Sequence, residues 1–296
     1  MPVRALTVWL VVVALPGAAE CERADSARIA AAGGSITEII YFLGAEDRLV
    51  AVDSTSNFPA AAREFPSVGY VRTLSAEGLL SLTPTLVLGE DDMGPPEAVA
   101  MVARAGVTLV RVDEVHTARG IIDKVRCVGS VLGLHDRSAV LSSSELEPVA
   151  HVLRRLKEEV TRKPRVAFLL QFRDGAPIGA GRGTSAQGLL DMVQADNVLA
   201  DFEGWKPVSM EAMSRAAPDF VVITERGVRG AGGAATVLAH PALALVLGNG
   251  ARDNADRLIV MDGMAMLGFG PRTLTTALEL AKRLHGAQTA FLDIRE

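Results

Sequence analysis

The sequence predicts an α/β protein built from two similar lobes with mostly parallel sheets, joined by one long helix. Three observations predict it. Short apolar runs alternate with amphipathic helical patterns along the chain, the arrangement of strands connected by helical crossovers. A block of the first half recurs in the second. A single helical stretch, Ser138 to Val160, lies between the two halves with no strand inside it.

In chain order, the first segment reads as an address. Met1 to Arg4 is a short positive start, Ala5 to Leu15 an apolar run, and Pro16 to Ala19 a small-residue site. That is the layout of a secretory signal peptide cleaved near Ala19. The run is shorter than the roughly 20 residues of a spanning helix. Glu20 stands before Cys21 where a lipoprotein signal needs a small residue, so an exported, soluble mature chain is expected. The expected units are residues 1–19 (signal), 20–137 (N-terminal lobe), 138–160 (connecting helix) and 161–296 (C-terminal lobe).

The N-terminal lobe reads as strands at Arg28–Ala32, Leu49–Val52, Thr85–Leu88 and Thr108–Val112. Helices are expected at Ser35–Leu43, with Ser35 as N-cap, and at Ala76–Leu82, Pro96–Ala105 and Arg119–Leu132. In the connecting stretch, Pro148 predicts a kink or a broken first turn. Pro164 ends that helix. Strands follow at Arg165–Leu170, Phe220–Ile223 and Arg257–Val260, with helices at Gly188–Val193, Met210–Ala216 and Arg272–Leu284. The repeat is carried by Ser75, Glu77 and Pro84, which recur as Ser209, Glu211 and Pro218, and by Ile39–Glu46, which resembles Leu189–Asp196. In paired-lobe proteins, ligands favour the interface between lobes.

Composition narrows the function. The chain has 296 residues, 49% of them hydrophobic, enough to build a core without a metal or disulfide staple. A net charge of −5 offers no basic face for nucleic acid. Aromatic residues make up 4%, few stacking platforms for sugars or bases. Cys127 falls on the apolar face of a helical pattern and reads as a buried free thiol, with Cys21 in a frayed N-terminal tail. The histidines at 116, 135, 151, 240 and 285 lack zinc spacing. No G-x-S-x-G elbow occurs. Gly179-Ala-Gly181-Arg-Gly183-Thr184 fails the dinucleotide pattern at Thr184, and no P-loop lysine is present. Little supports an enzyme.

The most informative stretch is Val68-Gly69-Tyr70-Val-Arg72-Thr-Leu74-Ser75-Ala-Glu77-Gly78, which places a tyrosine in a loop just before a helix start. It resembles the haem-binding signature of the periplasmic haemin-binding proteins of ABC-type haem importers, class III substrate-binding proteins with a helical backbone. Ala51–Pro59, Gly179–Thr184 and Met266–Arg272 agree with that resemblance, which covers roughly Arg28 to Leu284. It implies two lobes with small sheets on one backbone helix, no catalysis, and a monomer in the periplasm working with a permease and an ATPase. It implies Tyr70 as axial ligand to ferric haem iron, with Arg72 hydrogen-bonded to the phenolate. A phenolate suits a hard ferric ion, and a bound cation favours deprotonation of a phenol. Arg173 and Arg182 are expected near the haem propionates. Glu77 and Glu211, one on each lobe, are expected to dock onto permease arginines. Some relatives add a histidine in the loop after the first strand of the C-terminal lobe. Here that loop reads Gln171-Phe172-Arg173-Asp174-Gly175, so Tyr70 alone is expected on the iron. The alternatives are a corrinoid or ferric-siderophore binder of the same fold, an exported tetrapyrrole-modifying enzyme, and a manganese or zinc binder. The Gly69-Tyr70-x-Arg72 motif and the lack of nearby histidines weigh against all three.

Overall fold

The computed structural model describes residues 21–248 and 256–286. The expected signal peptide lies outside the described residues. In the N-terminal lobe, β1 (Ile29–Ala32), β2 (Leu49–Val52), β5 (Leu86–Glu90) and β6 (Thr108–Val112) form a parallel sheet in the order β2-β1-β5-β6. Between β2 and β5 the chain makes a separate two-stranded hairpin, β3 (Gly69–Tyr70) with β4 (Thr73–Leu74). In the C-terminal lobe, β7 (Arg165–Arg173), β8 (Ala176–Ala180), β9 (Asp196–Asn197), β10 (Trp205–Pro207), β11 (Phe220–Thr224) and β12 (Leu258–Met261) form a mixed sheet in the order β10-β8-β7-β11-β12, with β9 also on β7. The β7–β11, β11–β12 and β7–β9 pairings are parallel, whereas β7–β8 and β8–β10 are antiparallel.

Apolar strands covered on both faces explain the near-continuous hydrophobic runs. Alternation along each strand then sorts residues between two cores. Ile29 and Ala31 face one cluster, and Ala30 and Ala32 another. Val166 and Phe168 face the same first cluster, while Ala167 and Leu169 face a third. The first cluster is therefore common to both sheets. Leu153 and Leu156 of the connecting helix and Leu274, Ala277 and Ala281 of the final helix fill it. The lobes share one apolar seam.

The connecting helix runs from His135 to Glu159 rather than from Ser138 to Val160. Its first part, His135–Leu141, passes through a π turn at Ser142–Leu146 into Glu147–Glu159. Pro148 follows this widened turn, which makes the predicted break at the residue that cannot donate a backbone hydrogen bond. The three serines Ser142–Ser144 occupy that turn.

Two further expectations change. Ser35 is not an N-cap. The helix begins at Gly34, and the Ser35 hydroxyl instead donates to Glu90 Oε1 at 2.7 Å. Cys127 is not a free thiol but is bonded to Cys21, with the two Cα atoms 5.2 Å apart across 106 residues of sequence. The N-terminal segment is not frayed: Ala24 N–H donates to Val131 O at 3.0 Å, and Cys21 packs beside the seam. Pattern reading placed Cys127 on an apolar helix face correctly but could not see which chain end covers it.

Candidate ligand-binding cleft

In open parallel sheets, ligands bind outside the carboxyl ends of the strands. Here those ends are Gly33 after β1, Asp53 after β2, Glu90 in β5 and Asp113 after β6 in one lobe, and Thr224 in β11 and Asp262 after β12 in the other. The two edges meet closely at the junction. A Cβ on Gly34 would lie 2.5 Å from Met264 Cε of the C-terminal lobe and 2.7 Å from Thr55 O, so this helix can start here only with glycine.

Tyr70 stands on the β3–β4 hairpin, 38% exposed. Gly69 precedes it with φ +96°, and a Cβ there would meet Thr73 O at 3.0 Å, so the turn requires glycine. The hairpin is pinned on two sides. Ser54 N–H donates to Gly69 O at 2.8 Å, and Leu74 N–H donates to Gly94 O at 2.7 Å. The first tie leads to the Asp53–Pro59 loop, which is internally braced: the buried Asp53 carboxylate accepts from Thr55 N–H, Thr55 Oγ1 and Ser56 Oγ at 2.8 to 3.1 Å.

Arg72, two residues on, faces the same way. Its Nη1 donates to Tyr70 Oη at 2.7 Å, and its Nε donates to Asp92 Oδ2 at 2.5 Å. Burial opposes the guanidinium charge, but the hydrogen bond and charge of Asp92 outweigh it and hold the Arg72 pKa above its ordinary value. The fork is thus anchored on Asp92 and delivers a fixed positive charge to the tyrosine oxygen.

On the other lobe, β7 pairs with β11 only up to Leu169 and then continues to Arg173 paired with β8. The residues expected as a loop, Gln171 to Arg173, are strand, and the hairpin turn at Asp174–Gly175 stands beyond the sheet edge. Arg173 is at its tip, exposed. β8 returns the chain past the edge, with Gly179 opposite Leu169, and Arg182 follows it, just before the helix Ser185–Met192 capped by Thr184. Arg182 is exposed, and its Nη1 donates to Ala200 O. The hairpin also has a histidine neighbour that the sequence did not place there. His240 Nε2 bonds to Gly175 O at 2.8 Å, its Nδ1 accepts from Ala242 N–H at 3.3 Å, and its ring lies 5.0 Å from Phe172.

Below the cleft lies a buried charge cluster that sequence reasoning missed entirely. Lys124 Nζ donates to Ser35 Oγ at 2.9 Å and to Gly268 O at 3.4 Å, and pairs with Glu114 Oε2 at 3.4 Å. Burial raises the Glu90 carboxyl to about 7 against the pull of Lys124. Burial also acts on Glu114, but His116 and Lys124 outweigh it and hold that carboxyl below its usual range. The His116 ring packs against Phe269 at 4.7 Å between ring centres, tilted by 49°.

Glu77 and Glu211 are exposed in the first turns of the helices Ala76–Ser81 and Met210–Ala216, each capped by its serine, Ser75 or Ser209. Hydrogen bonds from its own backbone and from Ser209 hold the Glu211 carboxyl below its usual value. Among the described residues no cluster of His, Cys, Asp or Glu is arranged to hold a metal ion, and no helix is long and apolar enough to cross a membrane.

Known proteins share this architecture. The chain is similar to the periplasmic heme-binding protein BhuT in complex with two hemes (34% identity, TM-score 0.79, covering 88% of this chain and 98% of that one). It is similar to the periplasmic heme-binding protein RhuT from Roseiflexus sp. RS-1 (33%, TM-score 0.80, covering 89% and 99%). It is also similar to the periplasmic heme-binding protein HutB of Vibrio cholerae (31%, TM-score 0.75, covering 88% and 100%). By sequence it resembles an uncharacterized ABC transporter substrate-binding lipoprotein, YvrC of Bacillus subtilis, at 24% identity over 64% of this chain and 61% of that protein, so it spans less than two thirds of that relative. A vitamin B12-binding protein of Yersinia pseudotuberculosis matches at 23% over 76% of each chain. The periplasmic binding protein family matches residues 29–246, which take in the N-terminal sheet, the connecting helix and every strand of the second sheet but β12, and the chain belongs to that family.

Proposed function

We propose that this chain is a periplasmic haem-binding protein that hands haem to an inner-membrane ABC importer. The observation that carries the reading is the Tyr70–Arg72–Asp92 chain at the cleft edge: an exposed phenol oxygen already hydrogen-bonded by an anchored guanidinium. Ferric iron is a hard cation for which a phenolate is a suitable ligand. The Arg72 hydrogen bond stabilises the phenolate and draws electron density away from the iron, which tempers the bond and favours later release. The solved relatives named as heme-binding support the same cargo.

Tyr70 is the iron ligand in this reading and acts alone. His240, the histidine nearest the facing hairpin, has both ring nitrogens engaged with backbone. Arg173, at the hairpin tip, and Arg182 face the haem propionates, with Arg182 already giving one N–H to Ala200 O. Glu77 and Glu211 dock onto cations of the permease, whose partner ATPase drives release. The protein performs no chemistry on its cargo and works as a monomer. The Cys21–Cys127 disulfide supports export, because such bonds persist in oxidising compartments.

Relatives named as vitamin B12-binding keep a corrinoid in contention. Titration of the mature protein with haemin and, separately, with cyanocobalamin decides between them. The reading expects haemin bound at one equivalent or more with a ferric high-spin spectrum, and no cobalamin uptake at the same concentrations. Cobalamin uptake without haemin uptake contradicts it.

A further inference from the structure

We propose that Phe58 is a ring-stacking contact for the flat ligand and that Arg272, reaching from the other lobe, is the residue that positions it; this rests on reading the cleft as a tetrapyrrole site. Phe58 is 43% exposed and, with Tyr70, is one of the two aromatic side chains among the large exposed hydrophobics of the described residues. A single exposed phenylalanine would mean little by itself. This one is held. The guanidinium carbon of Arg272 lies 3.7 Å from the ring centre, well inside the roughly 6 Å reach of a cation–π contact.

Arg272 in turn is fixed by Glu38. Its Nε and Nη2 donate to the two carboxylate oxygens at 2.9 and 2.6 Å, and the Glu38 side chain is only 6% exposed. The edge of the guanidinium is committed to Glu38 and its face to the phenyl ring. Arg272 also lies 3.7 Å from Asp262, which follows β12, while Phe58 lies on the loop that follows β2. The stack therefore stands where the carboxyl ends of the two sheets face each other. It belongs to the same rigid unit as Tyr70, through the Ser54–Gly69 hydrogen bond of 2.8 Å.

Were the stack only a brace between lobes, the ring would be sealed between them. Instead 43% of Phe58 stays open to solvent. A tetrapyrrole needs an apolar wall for its ring face, and a preoriented phenyl supplies one at little cost in side-chain entropy. Iron-free protoporphyrin IX presents that same ring face without the metal, which separates stacking from ligation.

The test titrates wild type, Phe58→Ala, Phe58→Tyr and Arg272→Lys with haemin and with protoporphyrin IX, following binding and the haemin spectrum. The lysine keeps the charge partner of Glu38 but loses the fork and the flat stacking face. Phe58→Ala is expected to weaken both ligands about tenfold, the size of a lost aromatic contact with its buried area, with the tyrosinate band of bound haemin unmoved. Phe58→Tyr should stay within about twofold of wild type, and Arg272→Lys should weaken both ligands by less than the alanine. Phe58→Ala within twofold of wild type for both ligands overturns the contact, and so does a loss confined to haemin. An Arg272→Lys variant equal to wild type overturns the positioning role. A wild-type protein that takes up neither ligand overturns the tetrapyrrole reading itself.

Discussion

The two lobes are copies of one plan that carry different insertions. Arg28 corresponds to Arg165, 137 residues on, and the strands that follow pair in the same register: Ile29 with Leu86 in one lobe, Val166 with Phe220 in the other. By Ala45 and Ala195 the offset has grown to 150, and the C-terminal lobe has gained the β7–β8 hairpin. By Ser75 and Ser209 it has fallen to 134, because the N-terminal lobe carries the longer loop and the hairpin with Tyr70. The helices that then begin match closely. Arg28 donates to Thr83 O and Leu82 O at the end of one, at 2.9 and 2.7 Å, and Arg165 donates to Ala217 O and Ala216 O at the end of the other, at 3.3 and 2.7 Å. The parts proposed to meet the permease are thus alike, and the parts proposed to meet the cargo are not. A pair of like surfaces suits a partner of two like subunits, whereas one flat ligand needs one iron ligand and a different opposite wall.

The first way to break this comparison is transport. Glu77→Ala and Glu211→Ala together are expected to abolish haem uptake by the cognate importer in reconstituted vesicles while haem affinity stays unchanged. Each single variant should lose a similar part. Strongly unequal singles would contradict functional equivalence of the two helices. Next is the disulfide, which belongs to the N-terminal lobe. Cys127→Ser opens a bond across 106 residues and should cost about 2–4 kcal/mol in denaturant unfolding. Because the lobes share an apolar seam, both should unfold together at the lower midpoint; two separate transitions would show that the seam does not couple them.

The smallest expected effect is a change of pH profile from the buried cluster. An unfolded Glu90 titrates near 4.5 and the folded one at about 7, raised by burial. Between those values the folded state holds a proton that the unfolded state has lost, so stability falls as pH rises through that window and the loss is complete above it. Glu90→Gln removes this proton uptake. Its stability should fall less than wild type between about pH 5 and 7.5; an identical slope would show that Glu90 does not titrate there.

Much of the fold was legible in the sequence because it rests on local periodicity. Ala76–Ser81 and Met210–Ala216 coincide with expected helices, since Ser, Glu and Pro at fixed spacing is a local signal, and their serine caps are seen only in the structure. What escaped was tertiary. Ser35 looks like a cap but serves Glu90, a partner 55 residues away. The β8 strand, Ala176–Ala180, contains Pro177 and three small residues, a poor strand pattern held by its pairing with β7. Within the site, Tyr70 and Arg72 stood out by motif, and the structure places them 2.7 Å apart at the hydrogen bond. Asp92, which anchors Arg72, gave no signal, because nothing in its own neighbourhood marks a residue whose role comes from 20 positions away.

The central claim is that Tyr70 binds ferric iron with its oxygen. The visible spectrum of Tyr70→Phe saturated with haemin, beside that of wild type, tests it most directly, since the substitution removes one oxygen atom from an exposed side chain and leaves the fold intact. The account predicts a phenolate-to-iron charge-transfer band in wild type that is absent from the variant, with haemin bound at least about tenfold more weakly. The same band and the same affinity in both proteins would contradict it.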